Sequence, residues 1–332
     1  MRASALTQVL SLCIAARKPV LIKGAPGVGK SDIVSNAAIA AGAELVIFHP
    51  VVSDPTDFKG LPGIVNDCAE FLPYGELRKL IEATGPTIAF FDDLGQAPMS
   101  VQAAAMQLLL AREINGHKIS DFVTFVAATN RREDKAGVAG LLEPVKSRFA
   151  TIIQLDVDVD DWINWALAQN LPVEVIGFIK MRPELLHKFA ASADLVNSPC
   201  PRTVANLASL FQLGLPKEVE METYTGTVGE PFAAEFLGFV RIFRELVPPD
   251  MILLDPDNVA IPTSKPAVMY AMCLALARKA TENNMERVLR YANRLPAEFN
   301  VLLVRDAIRN NAAVTTTKAF MDWAAKNSSV ML

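Results

Sequence analysis

The octet Gly24-Ala25-Pro26-Gly27-Val28-Gly29-Lys30-Ser31 constrains the fold of this 332-residue chain more than any other stretch. An apolar run, Val20-Leu21-Ile22-Lys23, leads into it, and a helical pattern over Lys30–Ala40 leaves it. Strand, glycine-rich turn and helix in that order form a phosphate loop. The glycines permit a tight turn whose backbone N–H groups wrap phosphate oxygens, and the helix points its positive end at them. In that geometry the Lys30 ammonium reaches the outer phosphates and the Ser31 hydroxyl ligates Mg²⁺. The expected ligand is therefore ATP with Mg²⁺, held by Gly24, Ala25, Pro26, Gly27, Val28, Gly29, Lys30 and Ser31.

The surrounding pattern agrees. Five β-branched, apolar runs recur over the first 155 residues, at Pro19–Lys23, Glu44–His49, Thr87–Asp92, Phe122–Thr129 and Thr151–Leu155. Helical patterns at Lys30–Ala40, Gly75–Ala83 and Ser100–Ala111 alternate with them. Continuous apolar strands alternating with helices predict an α/β fold, a doubly wound parallel sheet of about five strands with ligands at the strands' carboxyl ends. Past Leu155 the strands stop. Helices are expected at Trp162–Gln169, Val173–Met181, Pro183–Ala191, Arg202–Leu213 and Glu230–Leu246, followed by a Pro-rich connection from Pro248 to Pro266 and further helices to Lys326. The division is a nucleotide-binding domain over 1–155, a helical lid over 156–246 and a helical extension over 247–332. The acidic run Asp156–Asp161 reads as a hinge and helix N-cap in preference to a metal site.

Composition narrows the function classes. Apolar residues make up 51% of the chain, yet no run approaches the length of a spanning helix; Val268–Ala277, the longest, reads as a buried helix. Residues Leu6, Val9, Leu10 and Ile14 fall at helical spacing, which favours an amphipathic first helix over a signal peptide. The net charge of −4, with scattered Lys and Arg, argues against general nucleic-acid affinity. Four well-separated cysteines and three histidines support neither a zinc site nor a disulfide framework, and fit reduced thiols in the cytoplasm.

Two more strand ends carry chemistry. Thr87-Ile88-Ala89-Phe90-Phe91-Asp92-Asp93 ends in acid, placing Asp92 to hold Mg²⁺ and Asp93 to orient or deprotonate an attacking water. Phe122–Asn130 ends in an amide able to hydrogen-bond that water or the terminal phosphate.

Together with Ser147-Arg148-Phe149, these motifs resemble the AAA+ ATPases. The segments Asp54-Pro55-Thr56-Asp57-Phe58-Lys59-Gly60-Leu61-Pro62 and Ser198-Pro199-Cys200-Pro201-Arg202 make the chain similar to the MoxR branch, with its CbbQ- and NorQ-type members. The resemblance covers residues 1 to about 245. It implies that Asn130 is sensor 1, that Arg148 is an arginine finger entering a neighbouring subunit's site, and that Arg202 is sensor 2. It also implies a homo-oligomeric, hexameric ring that acts on a partner protein, often one with a von Willebrand factor A domain, in metalloenzyme maturation. Where the family carries Glu, this chain has Asp93, which leaves open slow hydrolysis or a nucleotide-dependent binding switch. A small-molecule P-loop kinase is the other alternative, though the Ala-Ala-Thr-Asn strand end and the Ser-Arg-Phe motif argue against it. Two loops, Leu61–Pro73 and Arg112–Asp121 with its Asn115-Gly116 turn, read as hairpins. They serve either as a pore or partner face or as solvent-exposed connections.

Overall fold

The computed structural model describes residues 1–134, 140–190, 195–244, 246–262 and 266–327. They form two compact units. The first comprises Met1–Asp161 with Phe189–Leu195 and Cys200–Arg202; the second comprises Trp162–Lys188, Val196–Pro199 and Thr203 onward.

The first unit begins with α1 (Ala3–Ala15), β1 (Val20–Gly24), α2 (Lys30–Ala40), β2 (Glu44–Phe48) and α3 (Pro55–Lys59). A hairpin of β3 (Leu61–Val65) and β4 (Cys68–Leu72) leads to α4 (Gly75–Glu82), β5 (Thr87–Phe91) and α5 (Met99–Ala111). A second hairpin, β6 (Glu113–Ile114) and β7 (His117–Lys118), precedes β8 (Val123–Asn130), α6 (Glu143–Lys146), β9 (Thr151–Leu155) and α7 (Val159–Ala168, which from Trp162 on belongs to the second unit). The main sheet runs β2-β5-β8-β1-β9, all neighbours parallel.

Strand alternation sends side chains to two cores. Val20, Ile22, Phe90 and Val126 pack with Leu6, Leu10 and Ile14 of α1 and Val34 and Ala37 of α2. Leu21, Phe91, Phe125 and Ala127 face the opposite way, against Leu77, Leu80, Val101 and Leu108 of α4 and α5. On that face Phe48, Phe58, Phe91 and Phe125 join in a ring cluster with centroids 5.1–5.9 Å apart. Helix α1 (Ala3–Ala15) is thus the expected amphipathic first helix, with Leu6, Leu10 and Ile14 buried along one side. The acidic run behaves slightly differently from expectation. Asp158 accepts the Asp161 N–H at 2.9 Å and so caps α7, which starts at Val159, ahead of the expected Trp162.

The second unit is helical: α8 (Val173–Met181), α9 (Pro201–Gln212, whose first two residues belong to the first unit), α10 (Lys217–Val228), α11 (Glu230–Arg244), α12 (Pro249–Leu254), α13 (Pro266–Arg278), α14 (Met285–Ala292), α15 (Ala297–Asn310) and α16 (Lys318–Lys326). Phe178 of α8 meets Phe232, Phe236 and Phe239 of α11 at centroid distances of 5.1, 5.5 and 5.8 Å. Buried Asp306 pairs at 2.5 Å with Lys180, whose side chain is 7% exposed, between α15 and α8.

Three expectations need correction. Of the helix expected at Pro183–Ala191, whose last residue lies outside the described residues, only a single 3₁₀ turn over Pro183–Leu185 forms, and the Lys188 N–H turns instead to the Pro199 carbonyl at 2.9 Å. Helix α10 fills a stretch with no expected element. The Pro248–Pro266 connection contains α12, whose Pro249 sits at the first helical position, where its missing N–H costs nothing.

Candidate functional site

Three adjacent strands of the sheet, β5, β8 and β1, end side by side, and the site is built on their carboxyl ends. From β1 the chain enters the glycine-rich loop. Gly27 and Gly29 take φ of +73° and +89°, a region that L side chains rarely adopt. Gly27 also lacks room for a side chain, since a Cβ there would overlap Cys200 Sγ. The Arg202 N–H donates to the Gly27 carbonyl at 3.0 Å, so the segment Cys200–Arg202 is pinned to the loop.

Lys30 opens α2 and is only 7% exposed. Its Nζ donates to Asn130 Oδ1 at 2.6 Å and to the carbonyls of Gly24 and Ala25 at 3.2 and 3.0 Å. Burial lowers its pKa to about 8, against the pull of Asp93 and Asp92; Arg202 lowers it further and Asp134 opposes. Beside it, Ser31 Oγ donates to Asp92 Oδ2 at 2.7 Å. Asp92 is itself held in line with the sheet by its N–H, which donates to the Phe48 carbonyl at 3.0 Å.

Asp93 follows at φ +56°, an uncommon conformation for a residue with a side chain, and opens a 3₁₀ turn over Leu94–Gln96. Burial raises the pKa of its carboxyl, and Asp92 raises it further, while Lys30, Gln96 and Arg202 act the other way. Both effects strengthen Asp93 as a proton acceptor.

The structure therefore gathers Gly24 to Ser31, Asp92, Asp93, Asn130 and Arg202 around one point. Arg148 stands apart. It follows α6, it is half-buried, and no hydrogen bond or ion pair among the described residues joins it to Lys30, Ser31, Asp92, Asp93 or Asn130. Its Nε is buried without a hydrogen-bond partner.

Sequence reasoning missed four residues here. Arg131, next to Asn130, makes a two-pronged pair with buried Asp134, both N···O distances being 2.8 Å. Asp134 in turn acts on Lys30. Gln96 and Cys200 contact the site through Asp93 and Gly27. In sequence the charge run Arg131–Asp134 reads as a solvated surface, and Cys200 is marked only by lying in the Ser198–Arg202 segment.

The donor set fits a nucleotide and its metal. Gly27 and Gly29 offer loop N–H groups without a Cβ beside them, and Lys30 is a buried ammonium whose partners are neutral oxygens. Ser31 and Asp92 are hard oxygen donors of the kind Mg²⁺ takes.

Residues 19–149 match the sequence profile of the AAA domain, dynein-related subfamily. The chain carries an AAA domain. That domain spans the phosphate loop, both acids, Asn130 and Arg148, and its fold is that of an AAA+ P-loop NTPase. No curated protein matches the chain. Among solved structures, the P216G mutant of RuvB from Thermotoga maritima is 15% identical, with a TM-score of 0.46 over 91% of this chain and 88% of that one. NtrX from Brucella abortus, in complex with ADP, is 13% identical, with a TM-score of 0.44 over 99% and 68%. No helix among the described residues is long and apolar enough to cross a membrane.

Proposed function

We propose that the chain is a cytoplasmic, MoxR-type AAA+ ATPase that works as a homo-oligomeric, hexameric ring. Hydrolysis of ATP remodels or activates a partner protein, one with a von Willebrand factor A domain or a metalloenzyme. The observation that carries this reading is a separation of charges. Lys30, Ser31, Asp92, Asp93, Asn130 and Arg202 converge, whereas Arg148 lies outside that group with its Nε unpaired. A guanidinium that makes no bond to its own site supports a role at the site of a second copy, and head-to-tail contacts that close give rings.

Within one copy each group takes one role. The loop and Lys30 hold the phosphates. Ser31 and Asp92 hold Mg²⁺, which when bound neutralises phosphate charge. Asp93 accepts a proton from the attacking water, and Asn130 orients that water or the terminal phosphate. Arg202 stabilises charge on the phosphate from the Gly27 side of the loop. The working division is a nucleotide-binding part over 1–155, a lid over 156–246 and a helical extension over 247–332.

A second reading, a nucleotide-dependent switch with slow turnover, is favoured by one observation. The acid is one methylene shorter than the family's Glu, on a turn in the left-handed region. Mixing Lys30→Ala with Arg148→Ala, each inactive alone, tests the ring. Activity should return in part, because some interfaces pair an intact loop with an intact Arg148. No return, where subunits are shown to exchange, refutes the shared site and favours a monomeric, kinase-like enzyme. Return at a very low absolute rate favours the switch.

A further inference from the structure

Gln102, on the first turn of α5, is fully buried. Its Nε2 donates to the Ala97 carbonyl at 3.1 Å and to the Gly140 carbonyl at 3.0 Å, and its Oε1 accepts the Leu142 N–H at 3.2 Å. These three backbone groups lie in irregular segments, where no helix or strand ladder supplies a partner. A buried amide is costly unless it is matched, and a fully matched one fixes a single arrangement of the segments it joins.

The segments joined are the two that carry opposite halves of the chemistry. Ala97 closes the 3₁₀ turn that Asp93 opens: the Gln96 N–H donates to the Asp93 carbonyl at 2.9 Å, and the Ala97 N–H to Leu94 at 3.3 Å. Leu142 caps α6 and accepts the Lys146 N–H at 3.1 Å, and the Arg148 N–H donates to Val145 at 3.2 Å. One side chain thus stands between the turn that sets Asp93 and the short helix that sets Arg148.

We propose that Gln102 is a positioning residue that couples these two groups. It holds the Arg148 segment in register with the Asp93 turn, so that a shift of that turn in one copy moves the arginine offered to the next. The part of this inference concerning the next copy rests on the reading of Arg148 above. The staple itself does not, since it is a property of one chain. Nothing in a purely structural role for Gln102 requires nucleotide affinity and turnover to separate. The coupling does require it, because none of the three hydrogen bonds of Gln102 reaches the phosphate loop.

The test is Gln102→Met, which keeps length and helix propensity and removes the hydrogen bonds. ATP affinity should stay within about twofold of the parent while kcat falls about tenfold or more, the scale of a small misplacement in catalytic geometry. Amide exchange should quicken over residues 140–148 and stay unchanged over β5. In mixed rings, Lys30→Ala/Gln102→Met should fail to rescue Arg148→Ala under conditions where Lys30→Ala alone succeeds. Full rescue there overturns the coupling, and unchanged exchange over 140–148 overturns the staple. If Lys30→Ala alone gives no rescue but kcat and exchange respond as stated, the reading of Arg148 fails and the staple stands. Should the variant not fold, the parent protein still decides. Its Leu142 amide, outside every helix and strand, should exchange slowly, and fast exchange refutes the staple.

Discussion

Gly27→Ala separates two demands that the phosphate loop makes on one residue. The first is conformational: at φ +73° an L side chain costs about 1–2 kcal/mol. The second is steric. A Cβ would overlap Cys200 Sγ, but would lie at an ordinary 3.4 Å from Cys200 Cβ and 3.5 Å from Arg202 Cβ. Overpacking of that kind costs about 1–3 kcal/mol. The sum, about 2–5 kcal/mol, should emerge as lost stability, as weaker nucleotide binding, or as a division between the two. Urea unfolding and titration with a fluorescent ATP analogue measure both. If the whole cost falls on binding, Kd rises roughly 30-fold or more. Adding Cys200→Ala removes only the sulfur, so the double variant should regain the steric part, about 1–3 kcal/mol, and keep the conformational part. A double variant no better than Gly27→Ala, after correction for Cys200→Ala alone, refutes the close approach. A Gly27→Ala protein with unchanged stability and affinity refutes both parts.

Three further outcomes are expected. Lys30→Ala should bring ATP hydrolysis to background and sharply weaken nucleotide binding, because Asn130 and the loop carbonyls cannot compensate phosphate charge; parental binding and turnover refute the site. Asp93→Glu should raise the steady-state rate or leave it unchanged, and Asp93→Asn should be worse than either, being unable to accept a proton. A loss above about tenfold in Asp93→Glu, about 1.4 kcal/mol of transition-state stabilisation, would show a site built around the shorter acid. In the second unit, Lys180→Ala leaves the Asp306 carboxylate buried and unpaired, and should cost about 3–5 kcal/mol by urea unfolding, most of it recovered in Lys180→Met/Asp306→Leu.

The sheet was legible because its strands are buried on both faces, so each reads as an unbroken apolar run. Thr151–Leu155 matches residue for residue, and the other four strands agree within about a residue at either end. The phosphate loop, Asp92 and Asn130 were legible because each role sits on a contiguous strand end. Helix α10 was not. Its sequence Lys-Glu-Val-Glu-Met-Glu-Thr-Tyr-Thr-Gly-Thr-Val carries a glycine and five β-branched residues, and only Glu220, Tyr224 and Val228 are buried, a stripe one residue wide at a spacing of four. The apolar pattern of Pro183–Ala191 misled for the converse reason: Leu185 and Leu186 are buried without a helix. Gln102 is an ordinary residue until the fold brings the distant backbone of Gly140 and Leu142 to it, so nothing in the sequence singles it out.

The two hairpins of the first unit are tied together by His117, whose Nε2 lies 2.9 Å from the Phe71 carbonyl of β4, while Asn115 Nδ2 donates to the Lys59 carbonyl at the end of α3 at 2.8 Å. Their lengths are consequently not independent variables. One residue added to β4 would turn Phe71 to the other side of its ribbon and carry its carbonyl out of reach of His117. A matching change in the second hairpin would be needed to restore the tie. Among related chains, insertions in these two loops should therefore be inherited as a pair, and an engineer who lengthens one should expect to redesign the other.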